Sequence, residues 1–123
     1  MNQQIEKTRY SDAELEEFRI LIEDKLVKAR EQLDYYQTQL TEMAESSDAK
    51  IKGLDDGITT MESENISNMA VRQQKLIQHL ENALIRIQNK AYGVCRASGK
   101  LISKERLRAV PHATLSIQAK QNQ

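Results

Sequence analysis

Two long stretches of this chain carry an apolar side chain at alternating steps of three and four residues, which is the spacing of a helical seam. From Ile22 onward the first stretch is a strict heptad pattern, and so narrow a seam stays buried only against a partner helix. The second stretch has the same period, with the polar Gln73 at a core position where it would set the register. The two seams consist of Leu15, Phe18, Ile22, Leu26, Ala29, Leu33, Tyr36, Leu40 and Met43, and of Ile66, Met69, Gln73, Leu76, Leu80, Ala83 and Ile87. Together they predict a mainly α fold built on a long antiparallel helical hairpin, a coiled coil.

The ends of the hairpin are marked by helix-capping and turn-forming residues. Ser11 to Glu14 have the sequence of a capping box, which starts the first helix. Gly53 and Gly57, with aspartates between them, favour turns and predict the tip at about residues 46–62. We therefore divide the chain into a tail (1–10), the hairpin (11–90) and a small base (91–123). The base would end in a helix of roughly residues 112–121, with Pro111 at its first turn.

The charges are unevenly distributed although the net charge is zero. Residues 1–62 carry 8 basic and 15 acidic side chains, whereas residues 63–123 carry 10 and 3. One interpretation is that the two halves attract each other when the chain folds back, although exposed pairs add only ~0–1 kcal/mol each. The other is a basic patch for phosphates or an acidic protein. That patch would comprise Lys90, Arg96, Lys100, Lys104, Arg106 and Arg108.

The composition argues against several classes of protein. No apolar run approaches the ~20 residues that span a bilayer, and the polar start does not resemble a signal peptide, so we expect a cytoplasmic protein without membrane contact. A single cysteine forms no internal disulfide. No Gly-rich phosphate loop or nucleophile–base pair is evident, so we do not predict an enzyme. Without a recognition helix or a complete finger, we do not expect sequence-specific DNA binding.

The base has the spacing of a four-cysteine zinc ribbon with one of its four thiols. Cys95, Ser98, Ser116 and Ala119 occupy the register C-x2-C-x17-C-x2-C. Structural Zn²⁺ needs four thiolate or imidazole ligands, which serine and alanine do not supply. His112 lies near the same knuckle, but two protein ligands rarely hold zinc. We therefore expect no metal cofactor, a base held by packing, and Cys95 as a small buried apolar side chain.

This base resembles the C-terminal part of the TraR/DksA family, bacterial regulators that act on RNA polymerase. The likeness continues in the first helix, so it covers nearly all of residues 10–120. It implies a helical hairpin on a zinc-finger-like base, here degenerate, whose tip enters the secondary channel of the polymerase. The matching residues are Tyr10, Leu15, Phe18 and Arg19, and then Tyr92, Gly93, Cys95, Gly99, Arg106, Leu107, Pro111, Ala113, Leu115 and Lys120.

The resemblance also assigns positions at the tip, where the family carries a D-x-x-D-x-A motif close to the catalytic Mg²⁺ of the polymerase. Asp55 matches the second aspartate, and Asp56 lies beside it. Lys52 stands where the first aspartate belongs, and Gly57 replaces the alanine. A carboxylate approaches a cation favourably and a lysine does not, so the family's action at the catalytic centre is altered here. The other interpretation is that these acids only solvate a turn.

The family's contacts to the alarmone guanosine tetraphosphate fall, by register, at His79, Val110 and Lys120. Only Lys120 is a fixed cation, and a multiply charged phosphate ligand needs several, so we expect no strong alarmone binding. Arg72 on the second helix matches a cationic family position and could face the polymerase.

Three functions follow as hypotheses. The first is a regulator that binds RNA polymerase through the secondary channel and modulates initiation. The second is a structural or adaptor coiled coil that keeps the scaffold and binds another partner. The third is a transcript-cleavage factor of the Gre type, in which two tip acids recruit a second Mg²⁺. The base argues against the third hypothesis, because it resembles the TraR/DksA family and not the Gre type.

Overall fold

The computed structural model describes residues 8–49 and 56–122, and these residues form four helices. Helix α1 spans Asp12–Ala49, α2 spans Asp56–Gln88, α3 spans Lys104–Ala109 and α4 spans Ile117–Gln121. Helices α1 and α2 form the predicted hairpin. Within the described residues there is no β-strand, only an isolated antiparallel bridge between Val94 and Leu101.

The described chain divides into two compact units. Unit 1 contains residues 8–25 and 79–122, and unit 2 contains residues 26–49 and 56–78. The helices of the described parts lack the combination of length and apolar character needed to cross a bilayer.

Both long helices have well-defined ends in unit 1. The predicted capping box is confirmed, because the Ser11 N–H donates to Glu14 Oε1 over 2.9 Å and the Glu14 N–H donates to Ser11 Oγ over 3.2 Å. Helix α2 ends in a Schellman motif, in which the Lys90 N–H donates to the Ile87 carbonyl and the Ala91 N–H to the Arg86 carbonyl. Lys90 has φ = 61°, a conformation that most non-glycine residues avoid. Both ends therefore satisfy backbone groups that a helix terminus leaves without partners.

The core of unit 1 is built around three aromatic rings. The Phe18 ring centroid lies 5.8 Å from that of Tyr10 and 5.4 Å from that of Tyr92, so the start of α1 packs on the base. Both phenols are buried but hydrogen-bonded, Tyr10 to the Ile102 carbonyl and Tyr92 to the Pro111 carbonyl over 2.7 Å. Burial raises the pKa of both phenols, so both remain protonated donors at neutral pH.

One glycine is required by this packing. Gly93 has φ = 81°, and a Cβ at this position would lie 2.7 Å from the Tyr10 ring and 3.2 Å from Leu107 Cδ1. The close approach of backbone to ring therefore excludes any side chain at this position.

Unit 2 consists only of helical hairpin. Leu26, Ala29 and Ala70 are its buried apolar residues among those described. The remaining predicted α1 seam residues are half-buried; they are Leu33, Tyr36, Leu40 and Met43. The assignment of Met69 to the α2 seam was wrong, because Met69 is 44% exposed and Ala70 is 6% exposed. Both lie between the seam positions Ile66 and Gln73. Met69 divides these seven residues into steps of three and four, and Ala70 into steps of four and three, so either one fits the heptad pattern.

The predicted C-terminal helix is present and ends at Gln121, but its predicted start at about residue 112 was wrong. The sequence instead forms α3 at Lys104–Ala109, capped by Ser103 Oγ, which accepts the Arg106 N–H over 3.2 Å. Helix α4 begins only at Ile117, and its N-cap is Ser116. Pro111 lies between the helices, where its carbonyl accepts the Tyr92 hydroxyl.

Candidate functional site

The four ligand positions of the predicted ribbon lie in residues 90–122, which we call the foot. Cys95 is buried with 1% of its surface exposed, as expected. Its thiol donates to Ser116 Oγ, with 3.8 Å between sulfur and oxygen, and its sulfur accepts the Ser116 N–H over 3.4 Å. Ser116 Oγ also accepts the Ala119 N–H over 3.1 Å and so caps α4. Hydrogen bonds thus join three of the four ligand positions. Cys95 and Ser116 take part through their side chains, and Ala119 through its backbone N–H.

The first knuckle has a tight backbone turn. The Gly99 N–H donates to the Cys95 carbonyl, and the Cys95 N–H donates to the Lys100 carbonyl, both over 2.8 Å. Ser98 Oγ accepts the Lys100 N–H over 3.3 Å. The Arg96 N–H donates to the Thr114 carbonyl over 2.9 Å, which connects this knuckle with the segment before α4. The foot therefore retains both knuckles of the ribbon.

Hydrogen bonds set the charge state of Cys95. The Ser98 hydroxyl and then the Ser116 backbone N–H favour the thiolate and lower the pKa of the Cys95 thiol to about 6, whereas desolvation raises it. Such donors to a cysteine sulfur stabilise negative charge there without a metal cation. In the thiolate form the hydrogen bond between the Cys95 sulfur and Ser116 Oγ reverses, so that the serine hydroxyl donates and the two side chains stay joined.

The foot does not fit the zinc ion that its spacing implies. Ala119 has no ligand atom, and the hydroxyls of Ser98 and Ser116 accept backbone N–H groups. Within residues 8–49 and 56–122, no three His, Cys, Asp or Glu side chains lie together as a metal site would require. Cys95 would be the one thiolate ligand available.

A cleft of about 350 Å³ opens in unit 1 between α2, α3 and the end of the foot. It brings together His79, Val110 and Lys120, the three positions that sequence reasoning related to the alarmone. Arg86 and Arg106 also line it. Sequence reasoning missed Arg86 and placed Arg106 in the basic patch and among the family matches. The sequence contains a partial signal for Arg86. His79, Asn82 and Arg86 follow each other at steps of three and four on α2, which places them on one face of the helix.

Two cationic side chains that line the cleft donate hydrogen bonds to backbone carbonyls of its walls. Arg86 Nη2 donates to the His112 carbonyl over 3.4 Å, and Arg106 Nε donates to the Leu115 carbonyl over 2.8 Å. The rings of His79 and His112 stack, with centroids 5.3 Å apart and planes at 8°. Burial, and then the nearby His79 and Arg86, lower the pKa of His112, whose buried Nδ1 has no hydrogen-bond partner among the described residues. These contacts, all within the chain itself, fix the position of the segment after α3.

The comparisons with known proteins agree with this geometry. Residues 90–121 match the model of the prokaryotic dksA/traR C4-type zinc finger. A solved structure, that of transcription factor DksA2 from Pseudomonas aeruginosa, aligns with a TM-score of 0.80 over 89% of this chain and 82% of that chain, at 24% identity. Residues 90–121 of this chain therefore resemble the zinc finger of the TraR/DksA family. At this identity the structural likeness shows the fold alone.

Two curated relatives extend the comparison. RNA polymerase-binding transcription factor DksA of Caulobacter vibrioides is 42% identical over 50 residues, which cover 41% of this chain and 35% of that protein. General stress protein 16O of Bacillus subtilis is 26% identical over 100 residues, covering 77% of this chain and 61% of that protein. The matches thus span about one third and three fifths of the length of these relatives.

The TraR/DksA tip positions are only partly within the described residues. Lys52 and Asp55 lie outside them. Asp56 is the first residue of α2, and its side chain is not among those described. Arg72 lies on α2 in unit 2 and is exposed, near the exposed Val71.

The basic patch predicted in the foot is partly neutralised within unit 1. Lys90 Nζ pairs with Asp12, and Lys104 Nζ pairs with Glu14 Oε2 over 2.7 Å. The hydrogen bond from Lys90 lowers the pKa of Asp12. The charge asymmetry therefore acts, at these two pairs, as an attraction between the start of α1 and the foot.

Proposed function

We propose that this chain is a transcription regulator that binds RNA polymerase through the secondary channel and modulates initiation without catalysing a reaction. The observation that carries the proposal is a TraR/DksA finger frame on a two-helix hairpin, matched over residues 90–121 and in fold. The name of the Caulobacter relative states that it binds RNA polymerase. A protein with this partner would act in the bacterial cytoplasm.

The surface of unit 2 supports a protein partner. Arg72 and Lys75 are exposed at adjacent turns of α2, and the apolar Met69 and Val71 beside them are 44% and 45% exposed. Arginine and methionine are enriched in protein interfaces, where a guanidinium forms directed hydrogen bonds and a thioether adapts to its surroundings. We propose that Arg72 contacts the polymerase and that the neighbouring exposed residues Met69, Val71 and Lys75 belong to the same interface.

The tip supports a divergent output. With Lys52 in place of an aspartate, the tip presents one positive charge where the family presents a negative one. Near the Mg²⁺ of a polymerase active centre this charge is repelled, whereas Asp55 and Asp56 are attracted. We propose that the tip occupies the channel with a weaker influence on the catalytic centre than the family's own motif has.

Neither zinc nor the alarmone is part of this proposal. The foot lacks the ligands for the metal, and the guanidinium groups of Arg86 and Arg106 already bind backbone carbonyls of the cleft. We therefore expect guanosine tetraphosphate to bind the free chain weakly and to change regulation little.

The decisive experiment is competition for purified RNA polymerase core between this chain, labelled at its N-terminus, and a known secondary-channel ligand. We expect mutual displacement. Arg72→Glu should weaken binding by roughly tenfold or more, the size of a typical interface hot spot. The matched control is Glu31→Gln/Asp34→Asn, which also changes charge by two at exposed positions of α1. If both variants bind as the unmodified chain does, Arg72 is not in the interface.

A second pair of variants tests the tip. Asp55→Asn/Asp56→Asn should reduce regulation in a reconstituted initiation assay, and Lys52→Asp/Gly57→Ala, which restores the family motif, should strengthen it. Absence of any binding to the polymerase at low salt would favour the adaptor function instead. Cleavage of the transcript in a backtracked complex would favour the Gre-type function.

A further inference from the structure

The foot keeps the shape of a zinc ribbon although it cannot hold the ion, so another interaction must join its two knuckles. Residues 95–98 form the first knuckle and residues 116–119 the second, with 17 residues between them. In a zinc ribbon the metal closes this loop, and closing it is part of the folding free energy. Here the closing interactions are formed by the chain itself.

Four hydrogen bonds connect the knuckle regions. Two join Cys95 and Ser116, from thiol to hydroxyl and from backbone N–H to sulfur. The other two join Arg96 and Thr114, from the backbone N–H to the carbonyl over 2.9 Å and from Nε to Oγ1 over 3.3 Å. The Cys95 side of this pair is removed from water, since Cys95 is 1% exposed while Ser116 is half-buried, and this favours direct hydrogen bonds over hydration of the sulfur.

The spacing of the central pair matches that of two metal ligands. Two thiolates at ~2.3 Å from a tetrahedral Zn²⁺ lie about 3.8 Å apart. The Cys95 sulfur and the Ser116 hydroxyl oxygen are 3.8 Å apart. At this separation the two atoms contact each other directly, so the pair preserves the distance between ligands without an ion.

We propose that the hydrogen-bonded pair of Cys95 and Ser116 replaces zinc as the link between the two knuckles, and that the foot folds without metal while retaining the ligand spacing of the ribbon. Ser116 has two roles in this arrangement, because the same hydroxyl that accepts from Cys95 also caps α4 through the Ala119 N–H. Ser98 supports the first knuckle by accepting the Lys100 N–H. The Cys95 sulfur is thus a hydrogen-bonding centre, and its neighbours are donors and acceptors in place of further thiolates.

The chain offers a matched control for Ser116. Ser103 caps α3 in the same way, with an extended backbone and a side chain that accepts the N–H three residues later, over 3.2 Å. Of these two capping serines, only Ser116 is hydrogen-bonded to the Cys95 sulfur in the described foot. The difference between Ser116→Ala and Ser103→Ala therefore isolates the link from the loss of a helix cap.

The first test measures the melting temperature of the full chain after chelation and in these variants. We expect no bound zinc by elemental analysis and no change with a chelator. Ser103→Ala should lower Tm by about 4–8 °C, the usual cost of a lost cap, and Ser116→Ala by roughly twice as much. Stoichiometric zinc, a fall in Tm with the chelator, or equal losses in the two variants would overturn the proposal.

A double-mutant cycle measures the link itself. Cys95→Ala and Ser116→Ala should together lower Tm by less than the sum of the single changes, because each removes the same interaction. If Cys95→Ala does not fold, Cys95→Ser serves instead; it keeps a donor and should retain part of the coupling to Ser116. Strict additivity of the changes would contradict the link.

The second test asks whether the ligand spacing is retained. The variant Ser98→Cys/Ser116→Cys/Ala119→Cys should bind one equivalent of Co²⁺ or Zn²⁺, and the Co²⁺ form should show the absorption of a tetrahedral thiolate site. Its Tm should then become sensitive to a chelator. Failure of the folded variant to bind either metal would overturn the claim that the foot keeps the ribbon's geometry.

Discussion

The two units of this molecule are built on the same pair of helices but bury very different amounts of apolar surface. Of the sixteen buried apolar residues in the described chain, thirteen lie in unit 1 and three in unit 2. Five of the eight large apolar residues that are exposed lie in unit 2, namely Val27, Tyr35, Met61, Met69 and Val71. A heptad seam alone therefore holds unit 2, while residues of the foot cover the helices in unit 1. The difference indicates that unit 1 is the more tightly packed part, and the exposed apolar residues of unit 2 agree with the partner surface proposed there.

The sharpest test of this comparison is the same substitution in each unit. Leu80 in unit 1 is fully buried and Leu40 in unit 2 is half-buried. Leu80→Ala should lower the free energy of unfolding by about 3–5 kcal/mol because it leaves a cavity, and Leu40→Ala by roughly 1–2 kcal/mol. Urea unfolding followed by circular dichroism measures both. Similar losses at the two positions would show that the units are equally packed.

A second pair of substitutions sharpens the description of unit 1. Gly93 and Gly99 both have positive φ, but a Cβ at Gly93 would meet the Tyr10 ring at 2.7 Å, and a Cβ at Gly99 meets no atom within 4 Å. Gly93→Ala should therefore cost about 3 kcal/mol, and Gly99→Ala about 1 kcal/mol from backbone strain alone. Thermal melting of both variants provides the measurement. If Gly99→Ala were the worse change, the core around Tyr10 would be looser than described.

The smallest expected effect is a pH dependence that belongs to unit 1. Folding lowers the pKa of His112 below its ordinary value of 6.5, so the unfolded chain binds a proton more readily. This contribution is fully present above pH 6.5 and is lost as the pH falls through the lower, folded pKa. His112→Phe, which keeps an aromatic ring against His79, should reduce the fall in Tm between pH 7 and about pH 5. An unchanged pH profile would assign the effect to other groups.

Much of the helical part could be predicted from the sequence because its signals are local. The capping box of Ser11 and Glu14 requires only four residues, and the α1 seam repeats often enough to fix its phase. The α2 seam was harder, since Ile66, Gln73 and Leu80 are seven residues apart and leave either position between them possible. Burial of the small Ala70 in place of Met69 depends on the opposing helix, which no local pattern records.

The foot was less predictable because its parts are short and far apart in the chain. Helix α3 has six residues, too few for a periodic pattern, and Ser116 was considered only as a lost ligand although it is also a helix cap. The cleft combines α2 residues such as His79 with His112, 33 positions later. Tertiary packing alone brings such side chains together.

The hydrogen bond from Tyr10 to the Ile102 carbonyl has a consequence for biosynthesis. These residues are 92 positions apart, and both belong to the core that also includes Gly93. At about 5–20 residues per second, a ribosome needs roughly 5–18 s to translate that interval. Throughout this time the residues that cover the start of α1 do not yet exist. The nascent chain therefore completes this buried region only after Ile102 has been added.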